Sequence, residues 1–212
     1  MIWERMRSSK RHRNGNFYTM NKPLLIFDFD GTLADCKELH QNAFRKAAEE
    51  VCPGIEYTNE ELEALPTKEK IKMLLAKGYV FDADKLYEIK QHLTMANIYK
   101  YIGPDQQLLR QLNDLKQNYI MCVNSNATRN FVDKCLSIMK LNCFDLVCTA
   151  TEFPAKPDTF MYEHTMKWSG VKTQDTTIFE DSIVGINAAR NTGANVVEVR
   201  NVSHLKELLS EY

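Results

Sequence analysis

The sequence has no excess of charge of either sign, no long apolar run and no C-x-x-C pair. Twenty-seven lysines and arginines face twenty-eight aspartates and glutamates over 212 residues, a formal net charge of -1. No global field therefore draws the chain to nucleic acid or to a membrane surface. No apolar stretch approaches the roughly 18 residues of a membrane span, and the first residues lack the continuous apolar core of a secretion signal. The six cysteines (Cys36, Cys52, Cys122, Cys135, Cys143 and Cys148) lack metal-ligand spacing, and two of them lie inside apolar, strand-like runs. Reduced thiols in a cytoplasmic protein are the expectation. Repeats and low-complexity tracts are missing as well. The remaining composition, 44% hydrophobic and 26% charged, is that of a globular chain, long enough for one domain with an insertion.

Residues 1–20 carry Arg5, Arg7, Lys10, Arg11 and Arg13 against the single acid Glu4, with no apolar periodicity. They read as a disordered or extra tail, with Met20 as a possible initiator, and no function is assigned to them. Beyond them, short apolar runs alternate with amphipathic helical patterns: "PLLIF", "NYIMCV", "FDLVCT", "TTIFE" and "NVVEV". Strands buried on both faces and separated by helices predict a doubly wound α/β core around a parallel sheet. About ninety residues separate the first run from the second, too many for one crossover. The segment 35–102 reads as helices ("KELHQNAFRKAAEEV", "TNEELEAL", "TKEKIKMLLAKG", "DADKLYEIKQHLTMANIYKY"), inserted into a core formed by 21–34 and 103–212. Within the last of these helices Tyr87, Met95 and Tyr99 are expected to be core, and Pro104 is placed like a first-turn residue of the next helix.

The run "LLIFDFDGTLADC" then raises an electrostatic question. Asp28 and Asp30 fall on one face if the chain stays extended, and like charges about 4 Å apart repel by roughly 4 kcal/mol at an effective dielectric near 20. A cation or a shared proton must compensate. Ligands of open α/β sheets gather at the carboxyl ends of the strands, and three of the five runs end in chemistry: Asp28 and Asp30, Ser125 and Asn126, Glu180 and Asp181. Lys156, in "PAKPD", is expected at the opening of a helix. This set suits phosphoryl transfer. Carboxylates can hold Mg²⁺, one of them can attack phosphorus, Ser125 and turn N–H groups suit phosphoryl oxygens, and Lys156 balances the charge that moves.

These motifs, D-x-D-G-T (Asp28 to Thr32), Ser125, Lys156-Pro157 and E-D-S-x-x-G-x-x-A-A (Glu180 to Ala189), resemble in order those of the haloacid dehalogenase superfamily. The inserted helices look like the small α-helical cap of its β-phosphoglucomutase-like and phosphoglycolate-phosphatase-like subgroup. The resemblance implies Asp28 as nucleophile and Asp30 as general acid/base. It also implies Mg²⁺ held by the Asp28 carboxylate, the Asp30 backbone carbonyl and Asp181, with Glu180 as direct or water-mediated support. Gly31 would turn the chain towards the cap and Thr32 would steady the turn. The helix carrying His40 would return over the site, and Lys68 would occupy the cap's specificity loop, where relatives often carry an arginine that clamps a distal phosphate. Lysine offers only a point charge there, which favours water over a sugar as phosphoryl acceptor.

For Asn126 two roles stay open, a contact to phosphate or substrate and a cap on the following helix. The expected activity is a Mg²⁺-dependent phosphatase acting on a small phosphorylated metabolite, a sugar or polyol phosphate. The expected protein is a monomer or weak dimer, with no nucleic-acid or membrane partner. A β-phosphoglucomutase-like mutase is the near alternative, and a non-catalytic interaction module the remote one.

Overall fold

A computed structural model describes residues 22–58, 62 and 65–212. The basic tail, 1–20, lies outside them, as does most of the helix expected over 58–65; Leu62 from that stretch is buried. Five strands, β1 (Leu24–Phe27), β2 (Ile120–Ser125), β3 (Leu146–Thr149), β4 (Thr176–Glu180) and β5 (Asn195–Glu198), form one parallel sheet in the order β3-β2-β1-β4-β5. β1 is central, with Phe27 level with Val123 on one side and Phe179 on the other.

Alternation along the strands feeds two cores. Leu25, Phe27, Met121, Val123 and Phe179 meet the apolar stripes of α4 (Gln106–Leu115), α5 (Arg129–Met139) and α8 (Val202–Leu209). On the opposite face, Leu24, Ile26, Cys122 and Ile178 meet α6 (Phe160–Ser169) and α7 (Ile183–Asn191) through Tyr162, Met166, Ala188 and Ala189. The fold is therefore the doubly wound α/β arrangement that the sequence predicts. All six cysteines are free thiols, and no helix among the described residues is long and apolar enough to cross a membrane.

Between β1 and β2 lie α1 (Lys37–Val51), α2 (Thr67–Ala76) and α3 (Ala83–Asn97), with a short 3-10 turn at Ile98–Lys100. Helix α1 buries Leu39, Ala43, Phe44, Ala47 and Ala48, a stripe at three- and four-residue spacing. With Leu62, Ile71, Leu74 and Leu86 the upper part of this stripe makes a third apolar cluster, separate from the two on the sheet. Cys36, Leu39, Ile98 and Ile102, at the base, belong instead to the sheet core and seat the insertion on it.

Three local expectations change. The helix after Gly103 starts later than its proline, because the Asp105 carboxylate accepts from the N–H groups of Gln107 and Leu108 at 2.9 and 3.0 Å and caps α4. Lys156 does not open a helix: α6 begins at Phe160. Tyr99 and Met95 are not core, being 65% and 36% exposed, while Tyr87 is half-buried. The buried row of α3 is Leu86, Lys90 and Thr94.

Candidate active site

β1 ends at Phe27, and the next residue, Asp28, still donates its backbone N–H to Phe179 at 2.9 Å. Its carboxylate sits just beyond the sheet edge, 6% exposed. From the loop before α6, Lys156 enters the same space, with Nζ 2.5 Å from Asp28 Oδ1 and 2.6 Å from Glu180 Oε2 at the end of β4. Burial pushes the Lys156 pKa down, but Asp28 and Glu180 outweigh it and hold it well above the usual value. Burial also opposes the Glu180 carboxylate, and Lys156, Tyr162 and Ser182 together bring its pKa below the usual range.

Asp28 moves the other way. Burial raises its pKa first, then the charges of Glu180 and Asp181, against the opposing pull of Lys156. The crowding that the sequence attributes to Asp30 thus comes from Glu180 and Asp181. The physical reason is that the chain leaves the strand before Asp30, so the two-residue period no longer holds. Gly31 turns with φ +92°, and a Cβ there would lie 2.1 Å from Asp181 Oδ2. That close approach requires glycine. Gly185 plays the matching part under β4, where a Cβ would meet the Glu180 carboxyl carbon at 2.1 Å.

Asp28, Glu180 and Asp181 each place a carboxylate oxygen within 4.8 Å of the others. Three buried or half-buried acids share one lysine, and burial with Glu180 raises the Asp181 pKa to about 7. A hard divalent cation fits this donor set: oxygen ligands, surplus negative charge, and a glycine-lined approach to Asp181. Thr32 Oγ1 lies 3.5 Å from Asp181 Oδ1 at the rim of the cluster.

Asp30 belongs to a second group. Its Oδ2 lies 3.6 Å from His40 Nε2 on α1, and His40 Nδ1 lies 3.3 Å from Lys90 Nζ on α3. Lysine can only donate, so Nδ1 accepts and the imidazole hydrogen sits on Nε2, facing Asp30. Burial opposes ionisation of Asp30, and His40, then Cys36 and Lys90, overcome it, leaving its pKa below the usual value. For Lys90 burial wins over the attraction of Asp30 and lowers the pKa to about 8. The other Asp30 oxygen, Oδ1, is buried without a hydrogen-bond partner among the described residues.

Ser125, 1% exposed, ends β2 and accepts from Ala127 N–H at 3.0 Å, which leaves its own hydrogen unspent on that bond. Asn126 does not cap the following helix, whose cap position is Thr128. Its side chain bonds the Lys156 backbone in both directions, accepting from N–H at 2.7 Å and donating to the carbonyl at 3.1 Å. Asn126 therefore clamps the lysine's loop to the end of β2. Lys68 is not brought to the cluster; it is exposed on α2, with Nζ 5.7 Å from the Tyr87 ring centre. Lys90, Tyr162 and Ser182 are the polar residues of the site that sequence reasoning missed. For Lys90 a signal was present, since it lies four residues from both Leu86 and Thr94 on the inward row of α3.

A buried carboxylate–lysine–carboxylate chain at the carboxyl edge of a parallel sheet, with a third acid beside it, is an α/β site able to hold a cation beside a nucleophilic carboxylate. The sequence matches the haloacid dehalogenase-like hydrolase family over residues 25–199, and the chain belongs to that family. It is similar to the phosphorylated carbohydrates phosphatase of Thermotoga maritima, 22% identical over 174 residues that span 80% of this chain and 81% of that protein. It is also similar to the fructose-1-phosphate phosphatase YqaB of Escherichia coli, 27% identical over 185 residues, 83% of this chain and 95% of that one. Among solved structures, β-phosphoglucomutase from Clostridium difficile shares the fold, with a TM-score of 0.70 at 23% identity over 90% of this chain and 98% of that chain.

Proposed function

We propose that the protein is a Mg²⁺-dependent phosphatase that hydrolyses a small phosphomonoester, a sugar or polyol phosphate, through a phosphorylated Asp28. The observation that carries this reading is the buried Asp28–Lys156–Glu180 chain beside a partner-free Asp30 oxygen. The phosphatase names of the two curated relatives support it. A cytoplasmic setting accords with six free cysteines.

In this reading the Asp28 carboxylate attacks phosphorus as the bond to the leaving oxygen breaks. Asp30, ionised in the free site, takes up a proton from solvent as the phosphate dianion binds beside it and hands that proton to the leaving oxygen. Water then attacks the same phosphorus, Asp30 takes its proton, and Asp28 is regenerated with release of phosphate. Lys156 stays beside Asp28 while charge moves onto the phosphoryl oxygens, and Ser125 donates to one of them. Mg²⁺, held by the Asp28 carboxylate, the Asp30 carbonyl and Asp181, would supply positive charge for the phosphoryl group. Glu180 serves chiefly as counter-ion to Lys156, because both its oxygens are already bonded, by Lys156, Tyr162 and Ser182. Residues 35–102 act as a cap, and its His40 and Lys90 orient the Asp30 carboxylate.

Phosphate release and isomerisation are measured on a panel of sugar phosphates, polyol phosphates and phosphoglycolate with Mg²⁺. Phosphate release without conversion of glucose 1-phosphate to the 6-phosphate is expected, and isomerisation instead would establish the mutase reading that the shared β-phosphoglucomutase fold keeps open. A lysine rather than an arginine at position 68 favours hydrolysis, since it offers a distal phosphate only a point charge.

Two further results are expected. His40→Ala lowers kcat about a hundredfold on a sugar phosphate, the lower range for a group that assists proton transfer. In kcat/KM, which reports the first displacement, the loss is much smaller on p-nitrophenyl phosphate, whose leaving group needs no proton. Metal binding also depends on pH through Asp181. Its pKa of about 7 means that the proton is gone above neutrality and must be displaced below it. Calorimetric titration with Mg²⁺ should show affinity falling by about tenfold or more per unit below pH 7, where Asp181, and Asp28 with its own raised pKa, must give up their protons to the metal.

A further inference from the structure

Beneath the lysine lies a phenol to which the reaction scheme gives no part. Tyr162 is fully buried in the first turns of α6, six residues after Lys156, with its ring centre 5.3 Å from Lys156 Nζ. Its hydroxyl donates to Glu180 Oε2 at 2.8 Å, the same oxygen that accepts Lys156 Nζ at 2.6 Å. An aromatic ring on the inner face of a helix is ordinary core, and phenylalanine would fill the space equally well. The hydroxyl is what packing does not require.

We propose that Tyr162 is a positioning residue for Lys156, acting through Glu180 and resting on the phosphatase reading given above. The argument is one of shared donors and acceptors. A carboxylate offers about four lone-pair positions and an ammonium three donors. Glu180 Oε1 is taken by the N–H and hydroxyl of Ser182 at 3.2 and 2.8 Å, and Oε2 by Lys156 and Tyr162. The acid is saturated and cannot rotate. Lys156 spends one donor on Glu180 and one on Asp28, leaving one for the phosphoryl group.

Two acids compete for that ammonium. Because Tyr162 shares Oε2, it draws off part of the charge by which Glu180 would otherwise hold the lysine to itself. The ring below adds a cation–π contact within the usual range of about 6 Å. Both effects keep Nζ on the Asp28 side, where charge changes during the reaction. Removing only the hydroxyl lets Glu180 turn and take the lysine with it. Tyr162 itself touches no substrate, and the charge that Lys156 balances grows towards the transition state, so the loss falls mainly on kcat rather than on KM.

The test is a cycle of Tyr162→Phe, Lys156→Met and the double variant, assayed on p-nitrophenyl phosphate with saturating Mg²⁺ at high enzyme concentration. Tyr162→Phe should lower kcat about tenfold, the range of one hydrogen bond to a charged group, with KM within about twofold and cooperative unfolding at a thermal midpoint lowered by only a few degrees. In the Lys156→Met background the same change should alter the residual kcat by less than about twofold, since the tyrosine acts through the lysine. Normal kcat in Tyr162→Phe while Lys156→Met is impaired overturns the tyrosine inference alone. A tenfold loss in both backgrounds also overturns it, by showing independence from Lys156. Full turnover in Lys156→Met overturns the inference together with the phosphatase reading beneath it.

Discussion

Asp28→Asn is expected to abolish turnover without unfolding the protein. An amide has no charge to attack phosphorus, so kcat should fall by on the order of 10³-fold or more, as when the nucleophile of a covalent mechanism is removed. The stability expectation has the opposite sign from the usual buried-charge deletion. Burial, Glu180 and Asp181 all raise the Asp28 pKa against Lys156, so its carboxylate sits among more negative charge than one lysine offsets. Removing that charge leaves Glu180 as counter-ion to Lys156 at 2.6 Å. The thermal midpoint of Asp28→Asn should therefore equal or exceed that of the parent, measured without added metal. A variant that keeps near-normal turnover would remove Asp28 from the mechanism.

Lys156→Met should fail in both respects. The side chain is 2% exposed, and its two partners are 9% and 1% exposed. Deleting one member of such a buried chain leaves the others without a counter-charge, a loss of about 3–5 kcal/mol, read by urea unfolding. Turnover should drop by about 10²–10³-fold, the effect of removing one preorganised electrostatic contact. The pH dependence gives a further check. Without the lysine, the buried Asp28 and Glu180 carboxyls have folded-state pKa values above their unfolded ones. Folding then favours their protonated forms, so the variant is more stable at low pH and loses stability as pH rises through those values.

Much of the fold and site is legible in the sequence because it follows from order along the chain. Strand ends fall where apolar runs stop, so the strand pattern alone puts Asp28, Ser125 and Glu180 at one edge, and "TTIFE" gives the bounds of β4, Thr176–Glu180, directly. The pairing between elements cannot be read in the same way. Asn126 looks like a helix cap, yet its partner is the Lys156 backbone thirty residues away. Asp30 looks like a neighbour of Asp28, but the chain leaves the strand after Phe27 and gives Asp30 to His40 instead. Lys90 falls on the inward row of α3, but the row does not reveal that His40 of α1 meets it at 3.3 Å. Periodicity also misleads at Tyr99, which lies beyond the last α-helical turn and is largely exposed.

The central claim is that the phosphoryl group passes through Asp28 before it reaches water. It is tested most directly by the stereochemical course at phosphorus, using a substrate whose transferred group is made chiral with oxygen isotopes and sulfur. Two in-line displacements, first by Asp28 and then by water, predict net retention of configuration. Net inversion would mean a single attack by water on the substrate and would contradict the account.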